Sequence, residues 1–248
     1  MTVQEIYNAV DEAAGFSTQM DFDNAGLLVG DPQAHVTSAL VALDVTDAVI
    51  EEALSRGSNL IVTHHPVIFH AIKRVTSDML VYRLVRENIS VICAHTNLDL
   101  ASGGVNDILA RKLDLQDIAL VPPENLLRAG RLSRGMTPPE FAYYVKQKLD
   151  LPALRYCDGG AVIEQVAVCG GSGGSELQEA WKTGCQAYVT ADVKHDVMLE
   201  AIHLGITLID GGHFETENHV VEYLAKLVRD TGTETVIARA NIAPSVTI

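Results

Sequence analysis

Short apolar runs alternate with amphipathic segments through the first half of the chain. The runs at 39–44, 60–62 and 89–93 predict buried strands, and the segments 46–57 and 80–86 between them predict helices. Thr46 is a favourable helix start and Gly57 a favourable stop. Strands that alternate with helices predict a largely parallel sheet, in which the carboxyl ends of the strands meet at one edge.

Similar patterns of apolar and polar residues continue to both ends of the chain. Thr2 and Glu5 form a capping-box pattern that predicts a first helix at 3–14, and a turn-rich segment at 21–31 leads into a short apolar strand. Further helices are predicted to begin within 103–107 and at Thr137, and to span 175–181 and 218–229, with strands at 165–169 and 206–209. Apart from the Thr137 helix, the segment from Pro122 to about residue 160 is less apolar and rich in turn residues. We therefore predict two parts, 1–122 and 123–248.

The second part resembles the first in an ungapped alignment of 52–65 with 179–192. The two segments have identical residues at Glu-Ala, at Gly and at Val-Thr. Outside them, the apolar run 40–44 corresponds to 166–170, and the run 89–92 corresponds to 206–209. Two related α/β units explain this correspondence, and chance similarity between two ordinary helix–strand units is the alternative. The predicted fold class is α/β, with two related repeats built on mixed, largely parallel sheets.

Two adjacent histidines stand at the end of the second predicted strand. Pro66 follows them and cannot donate to a sheet ladder, so His64 and His65 lie at the carboxyl edge, where open α/β sheets bind their ligands. Neighbouring residues in an extended chain project to opposite sides, and therefore suit two metal ions better than one. The alternative is an ordinary core or capping histidine.

Other potential ligands follow similar strands. His95 and Asp99 come directly after the run at 89–93, so the parallel sheet should bring them to the edge that carries the histidine pair. Asp23 and Asn24 fit either a supporting role beside this site or ordinary turn chemistry. His213 and Glu217 follow Gly211-Gly212, and their spacing places them on one helix face.

Imidazole and carboxylate donors without thiolates suit zinc, iron, manganese or nickel and leave the choice among them open. Two such ions about 3.5 to 4 Å apart commonly share a carboxylate and a water whose pKa falls toward neutrality.

A glycine-rich loop lies between a predicted strand and a predicted helix. The amides of Gly170, Gly171, Ser172 and Gly173 suit a phosphate or carboxylate, although the segment matches neither a P-loop nor a dinucleotide fingerprint. The alternative is a close turn without a ligand. Lys73, Arg74 and Lys194 are the basic residues nearest the ligand segments, and they fit either substrate neutralisation or a solvated surface.

Composition narrows the possible classes of function. A net charge of −14 and a pI near 4.9 argue against a nucleic-acid partner. Cys93, Cys157, Cys169 and Cys185 are widely spaced, which predicts reduced thiols and a cytoplasmic protein. The sequence has neither a signal-peptide pattern at its start nor the ~18 apolar residues of a membrane span, so we expect no processing and no membrane contact.

Four motifs in this order resemble the dinuclear-metal family of GTP cyclohydrolase 1 type 2 homologues, also called NIF-three-like proteins. The motifs are Thr63-His-His-Pro-Val-Ile-Phe69, Ala94-His-Thr-Asn-Leu-Asp99, Val168-Cys-Gly-Gly-Ser-Gly173 and Gly212-His-Phe-Glu-Thr-Glu217. The resemblance implies that His64 and Asp99 bind one metal, that His65 and His213 bind the other, and that Glu217 bridges the two. It also implies two intertwined repeats, with the metal site between them, assembled into toroidal hexamers.

The expected function is metal-dependent hydrolysis of a small molecule, in which a bridging hydroxide attacks a ring carbon or a phosphoryl or acyl centre. The resemblance suggests GTP ring opening, and His95 is a candidate catalytic residue. The alternatives are a non-catalytic regulatory hexamer and an iron or nickel trafficking protein. Asp196 stands where relatives often have a histidine, which leaves a substrate-side role at that position open.

Overall fold

The computed structural model describes residues 1–246, and these form two compact units. The first unit comprises Met1–Gly104 and Val220–Ile242, and the second comprises Val105–His219 together with residues 243–246. These bounds differ from the two parts 1–122 and 123–248, whose division remains a prediction about internal sequence similarity.

The first unit is built on a five-stranded sheet with the order β1-β4-β3-β2-β11. Its strands are β1 (Gly26–Val29), β2 (Ala39–Ala42), β3 (Leu60–Thr63), β4 (Ser90–Cys93) and β11 (Thr235–Ile237). Its helices are α1 (Val3–Ala13), α2 (Asp47–Arg56), α3 (Leu80–Arg86), α4 (Thr96–Leu100) and α10 (Val220–Asp230). Only β1 is antiparallel to its neighbour, so this sheet is largely parallel, as predicted.

Local sequence signals account for the helices of the first unit. The Thr2 side chain accepts from the Glu5 amide and the Glu5 side chain accepts from Thr2, which confirms the predicted capping box of α1. Thr46 caps α2, and Gly57 ends it with a φ of 71°, a backbone conformation that favours glycine. α2 then buries one face, including Ile50, against the apolar residues of β2 and β3.

The second unit is built on a six-stranded sheet with the order β5-β6-β8-β9-β10-β7. Its strands are β5 (Gln116–Leu120), β6 (Arg128–Met136), β7 (Arg155–Cys157), β8 (Ile163–Val168), β9 (Ala187–Thr190) and β10 (Thr207–Asp210). Its helices are α5 (Val105–Lys112), α6 (Pro138–Lys148), α7 (Leu177–Lys182), α8 (His195–Leu204) and α9 (His213–Glu217). Successive side chains along a strand point to opposite faces of this sheet, and each face packs in its own apolar cluster. Val189 belongs to one cluster and Tyr188 to the other.

The two sheets share a common order of strands. In the first, β2, β3 and β4 are parallel neighbours and β1 lies antiparallel beside β4. In the second, β8, β9 and β10 are parallel neighbours and β7 lies antiparallel beside β10. This correspondence confirms the expectation of two related α/β units.

The prediction of a turn-rich segment between Pro122 and residue 160 was wrong in part. This segment contains β6, which pairs with β5 and β8 in antiparallel ladders, and it also contains β7. β6 has three arginines and two glycines, so its composition gives no apolar run and no alternating pattern that would predict a strand. The second sheet is consequently mixed, with antiparallel strands at both edges.

All four cysteines are free and buried, in keeping with the predicted reduced state. Among residues 1–246, no helix combines the length and the apolar character that crossing a membrane requires.

Candidate metal centre

The parallel register of the first sheet brings polar residues together at its carboxyl edge. β2 and β3 pair with Ala42 opposite Thr63, and β4 continues the same ladder. Two residues beyond this pair, Asp44, His65 and His95 occupy neighbouring positions at the edge. The predicted convergence of the histidine-bearing strands is thus present in the structure.

Three imidazoles cluster at this edge. His64, His65 and His95 each offer a ring nitrogen, and these nitrogens all lie within 4.8 Å of one another. His64 is buried, whereas His65 and His95 are half-buried and so remain within reach of solvent. A cluster of this size has the nitrogen donors that zinc, iron, manganese and nickel accept.

Hydrogen bonds at Nδ1 fix the tautomers of the two adjacent histidines. His64 Nδ1 lies 2.8 Å from the Ala94 carbonyl oxygen, and His65 Nδ1 lies 2.7 Å from Asp44 Oδ1. Both partners accept hydrogen bonds, so each Nδ1 carries the proton and each neutral ring has its lone pair on Nε2. Metal-binding histidines are usually oriented in this way by a carboxylate or a carbonyl.

His95 is held by Asp23. His95 Nδ1 lies 2.7 Å from Asp23 Oδ1, and the Thr96 amide donates to Asp23 Oδ2 at 2.9 Å. Burial disfavours the charged form of Asp23, but the hydrogen bonds from His95 and Thr96 outweigh it and hold the pKa of this carboxyl well below its usual value. Of the two readings of Asp23, the structure therefore favours the supporting role, and Asn24 donates instead to the Ile68 carbonyl.

Asp99 lies on α4, where it faces His64. The distance between His64 Nε2 and Asp99 Oδ1 is 3.6 Å. Because Nδ1 of His64 carries the proton of the neutral ring, both facing atoms are acceptors. Two facing acceptors fit a cation bound between them, so these two residues are suited to hold a metal ion.

A second donor pair lies in the second unit. His213 and Glu217 form the two ends of α9, and His213 Nε2 lies 3.1 Å from Glu217 Oε2. Their predicted position on one helix face is thus present. His213 Nδ1 lies 2.7 Å from Asp192 Oδ2, which leaves the lone pair of the neutral ring on Nε2. The pair repeats the two-acceptor arrangement of His64 and Asp99.

The glycine-rich loop approaches this second pair closely. Gly171 has a φ of 61°, and a Cβ atom at this position would overlap Glu217 Oε1 and lie 3.1 Å from His213 Nε2. Glycine is required here because only a residue without a side chain leaves Glu217 and His213 their present space. The loop thus packs directly against His213 and Glu217.

Most amide groups of the loop are used inside the protein. Three donate to side chains, Gly170 to Asn106 at 2.7 Å, Gly171 to Thr216 at 3.1 Å and Gly173 to Thr190 at 3.0 Å. Of the two sequence-based alternatives, this arrangement favours the close turn over the anion site at Gly170, Gly171, Ser172 and Gly173. Lys73, Arg74 and Lys194 are all exposed, which favours the solvated surface role.

Sequence reasoning did not identify Asp44 and Asp192 as the partners of His65 and His213. The strand register could have found both. Asp44 and His65 each lie two residues beyond the last paired residues of β2 and β3. Asp192 likewise lies two residues beyond β9, beside the chain that leads from β10 to His213.

Comparison with known proteins identifies the family of the chain. The family model Duf34/NIF3 (NGG1p interacting factor 3) matches residues 1–244. The chain belongs to the Duf34/NIF3 family. It is 32% identical to a GTP cyclohydrolase 1 type 2 homolog of Clostridium acetobutylicum over 98% of both chains, and 33% identical to one of Campylobacter jejuni over 96% of both. The resemblance seen in the four motifs is thereby confirmed.

Solved structures place the chain in the same fold. The Staphylococcus aureus hypothetical protein SA1388 superimposes with a TM-score of 0.92 at 28% identity, over 100% of this chain and 99% of that one. Reduced HcgD from Methanocaldococcus jannaschii superimposes with a TM-score of 0.84 at 26% identity, over 96% of this chain and 98% of that one. The chain therefore shares its α/β fold with these two proteins.

Proposed function

We propose that this member of the Duf34/NIF3 family is a metal-dependent hydrolase that holds two divalent ions per chain. The proposed ligands are His64 and Asp99 for one ion and His65 and His213 for the other, with Glu217 shared. The supporting observation is that a protein acceptor holds the Nδ1 of each of the three ligand imidazoles, as is usual for metal-binding histidines.

Bound divalent ions would supply Lewis acidity and a water of lowered pKa. The chain's own residues would hold and orient the reacting groups. Asp44 and Asp192 fix the rings of His65 and His213. His95, fixed in turn by Asp23, is proposed to orient the substrate or the attacking water.

The proposed reaction is ring opening of a GTP-like substrate or hydrolysis of a phosphoester. The names of the relatives support the first of these. We expect metal-replete protein to consume GTP or a simple phosphoester such as p-nitrophenyl phosphate, and chelator-treated protein to be inactive. Full metal content without turnover of either compound would favour a metal-binding, regulatory or trafficking protein over an enzyme.

Metal stoichiometry tests the dinuclear part of the proposal. We expect elemental analysis after gentle purification to give two ions per chain of zinc, iron, manganese or nickel. His65→Ala should lower this number because adjacent histidines that project to different sides serve different ions. One tightly bound ion per chain, unchanged in His65→Ala, would exclude the dinuclear arrangement.

Asp44 offers a test of ligand orientation. Asp44→Asn retains the shape of the side chain but weakens its hydrogen bond to His65 Nδ1, so we expect the metal affinity to fall ~10-fold or more. Asp47→Asn is the matched control, because Asp47 lies three residues further on and pairs with Arg83 at the surface. Competition with a chelator dye measures both, and equal affinities in the two variants would contradict the role of Asp44.

The resemblance also supports a homohexamer as the proposed assembly. Light scattering at micromolar concentration tests it, and a monodisperse monomer would contradict it.

A further inference from the structure

Two exposed phenylalanines stand beside the histidine cluster of the first unit. The side chains of Phe22 and Phe69 are 64% and 38% exposed, and their ring centroids are 6.4 Å apart. The ring planes are inclined by 64°, so neither ring lies flat on the other. The pair therefore keeps broad aromatic surface in contact with water.

This aromatic pair continues directly into the histidine cluster. The Phe69 ring meets His95 edge to face, with centroids 6.0 Å apart and planes inclined by 88°. His95 in turn lies 5.8 Å from the His65 ring, centroid to centroid. A molecule lying against the phenylalanines would therefore have its reactive part next to the imidazoles.

The main chain beside both rings is fixed by hydrogen bonds. Asp23, next to Phe22, accepts from His95 and Thr96. Asn24 Nδ2 donates at 2.6 Å to the carbonyl of Ile68, which precedes Phe69. This bond ties the two ring-bearing segments together, so less conformational freedom remains to be lost when a ligand binds.

We propose that Phe22 and Phe69 form a platform on which a planar heteroaromatic ring of the substrate stacks beside His95. A planar aromatic ring is the expected ligand of the two phenylalanines, because aromatic faces attract other planar π-systems in stacked or edge-to-face arrangements. An uncharged planar ring such as a nucleobase fits these two rings better than a phosphate, because phenylalanine offers an aromatic face and no hydrogen-bond donor. The inference rests on the proposed function in that it supplies the substrate class of the same site.

Binding of nucleosides to the full-length, metal-replete protein tests this platform without requiring turnover. We expect adenosine or guanosine to bind, and the Phe22→Ala/Phe69→Ala double variant to bind ~10-fold or more weakly, because stacking on an aromatic side chain contributes substantially to base binding. Phe69→Tyr should retain binding. Val75→Ala, an exposed position in the same connection between β3 and α3, should bind as the wild type does.

Equilibrium dialysis gives the dissociation constants. Ribose 5-phosphate is the control ligand, because it lacks a planar ring. The proposal is overturned if the wild type binds neither nucleoside, or if the double variant binds them equally well. It is also overturned if light scattering shows that Phe22→Ala changes the oligomeric state, because a second copy of the chain would then cover the rings. Metal content is measured on the same samples: its absence from the wild type would contradict the proposed function, whereas full metal content without nucleoside binding contradicts the platform alone.

Discussion

Glu217→Gln is expected to lower the metal content of the protein more than the loss of any other single proposed ligand. The substitution keeps the shape of the side chain and removes its charge. A carboxylate shared by two ions offsets their mutual repulsion, so its loss should weaken both sites together, by ~10-fold or more. His64→Ala should affect mainly one ion. Elemental analysis of the two variants beside the wild type makes the comparison.

The fold should tolerate the loss of this charge. Glu217 is 4% exposed and ends a short helix beside Gly171, outside the apolar core clusters. Glu222→Gln is the matched control, because Glu222 is an exposed carboxylate that pairs with Arg229 on the next helix. Full metal occupancy in Glu217→Gln, accompanied only by a slightly lower melting temperature, would exclude the bridging role.

Arg128→Met is expected to destabilise the protein by about 3–5 kcal/mol. Arg128 begins β6, is 1% exposed and donates from Nε to Asp107 Oδ1 at 2.7 Å. Its Nη1 also donates to the Asn125 carbonyl oxygen at 2.7 Å. Methionine fills much of the volume but removes the charge that Asp107 requires. Urea unfolding followed by circular dichroism measures the change.

A surface ion pair between β6 and β5 provides the control. Arg131 and Asp117 form a pair whose side chains are 62% and 68% exposed, so Arg131→Met should change stability by less than ~1 kcal/mol. In the double variant Arg128→Met/Asp107→Leu both charges are removed, and much of the lost stability should return. If Arg128→Met and Arg131→Met lowered the free energy of unfolding equally, the buried pair would contribute no more to stability than the exposed pair.

Helices with strong local signals and short apolar strands could be predicted from the sequence. Thr46 and Gly57 bound α2 where expected, and β3 and β4 lie within one residue of the predicted runs. Such elements are encoded by neighbouring residues, namely a cap, a stop and a buried run. The long arginine-bearing strand β6 is different, because it is stabilised by distant parts of the chain. It pairs with β5 and β8, and its Arg128 donates a hydrogen bond to Asp107.

The proposed ligands were predictable for a similar reason, and their supporting residues were not. His64 and His65 stand out because two imidazoles interrupt an apolar run immediately before a proline. Asp44 has no such local mark, since an acidic residue after a strand is common in turns. Its contact with His65 follows only from the register of β2 against β3. That register is set by pairing between two segments of the chain, and it brings together residues that are 21 positions apart.

The path of the chain has a consequence for folding during synthesis. β11 completes one edge of the first sheet beside β2, and α10 packs on the same unit, yet both are translated after residues 105–219 of the second unit. At ordinary rates of synthesis the nascent first sheet waits on the order of ten seconds for its last strand. During that interval the edge of β2 exposes unpaired backbone groups, the kind of surface on which chains aggregate. Nascent chains halted before residue 220 should therefore require chaperone protection that the completed chain does not.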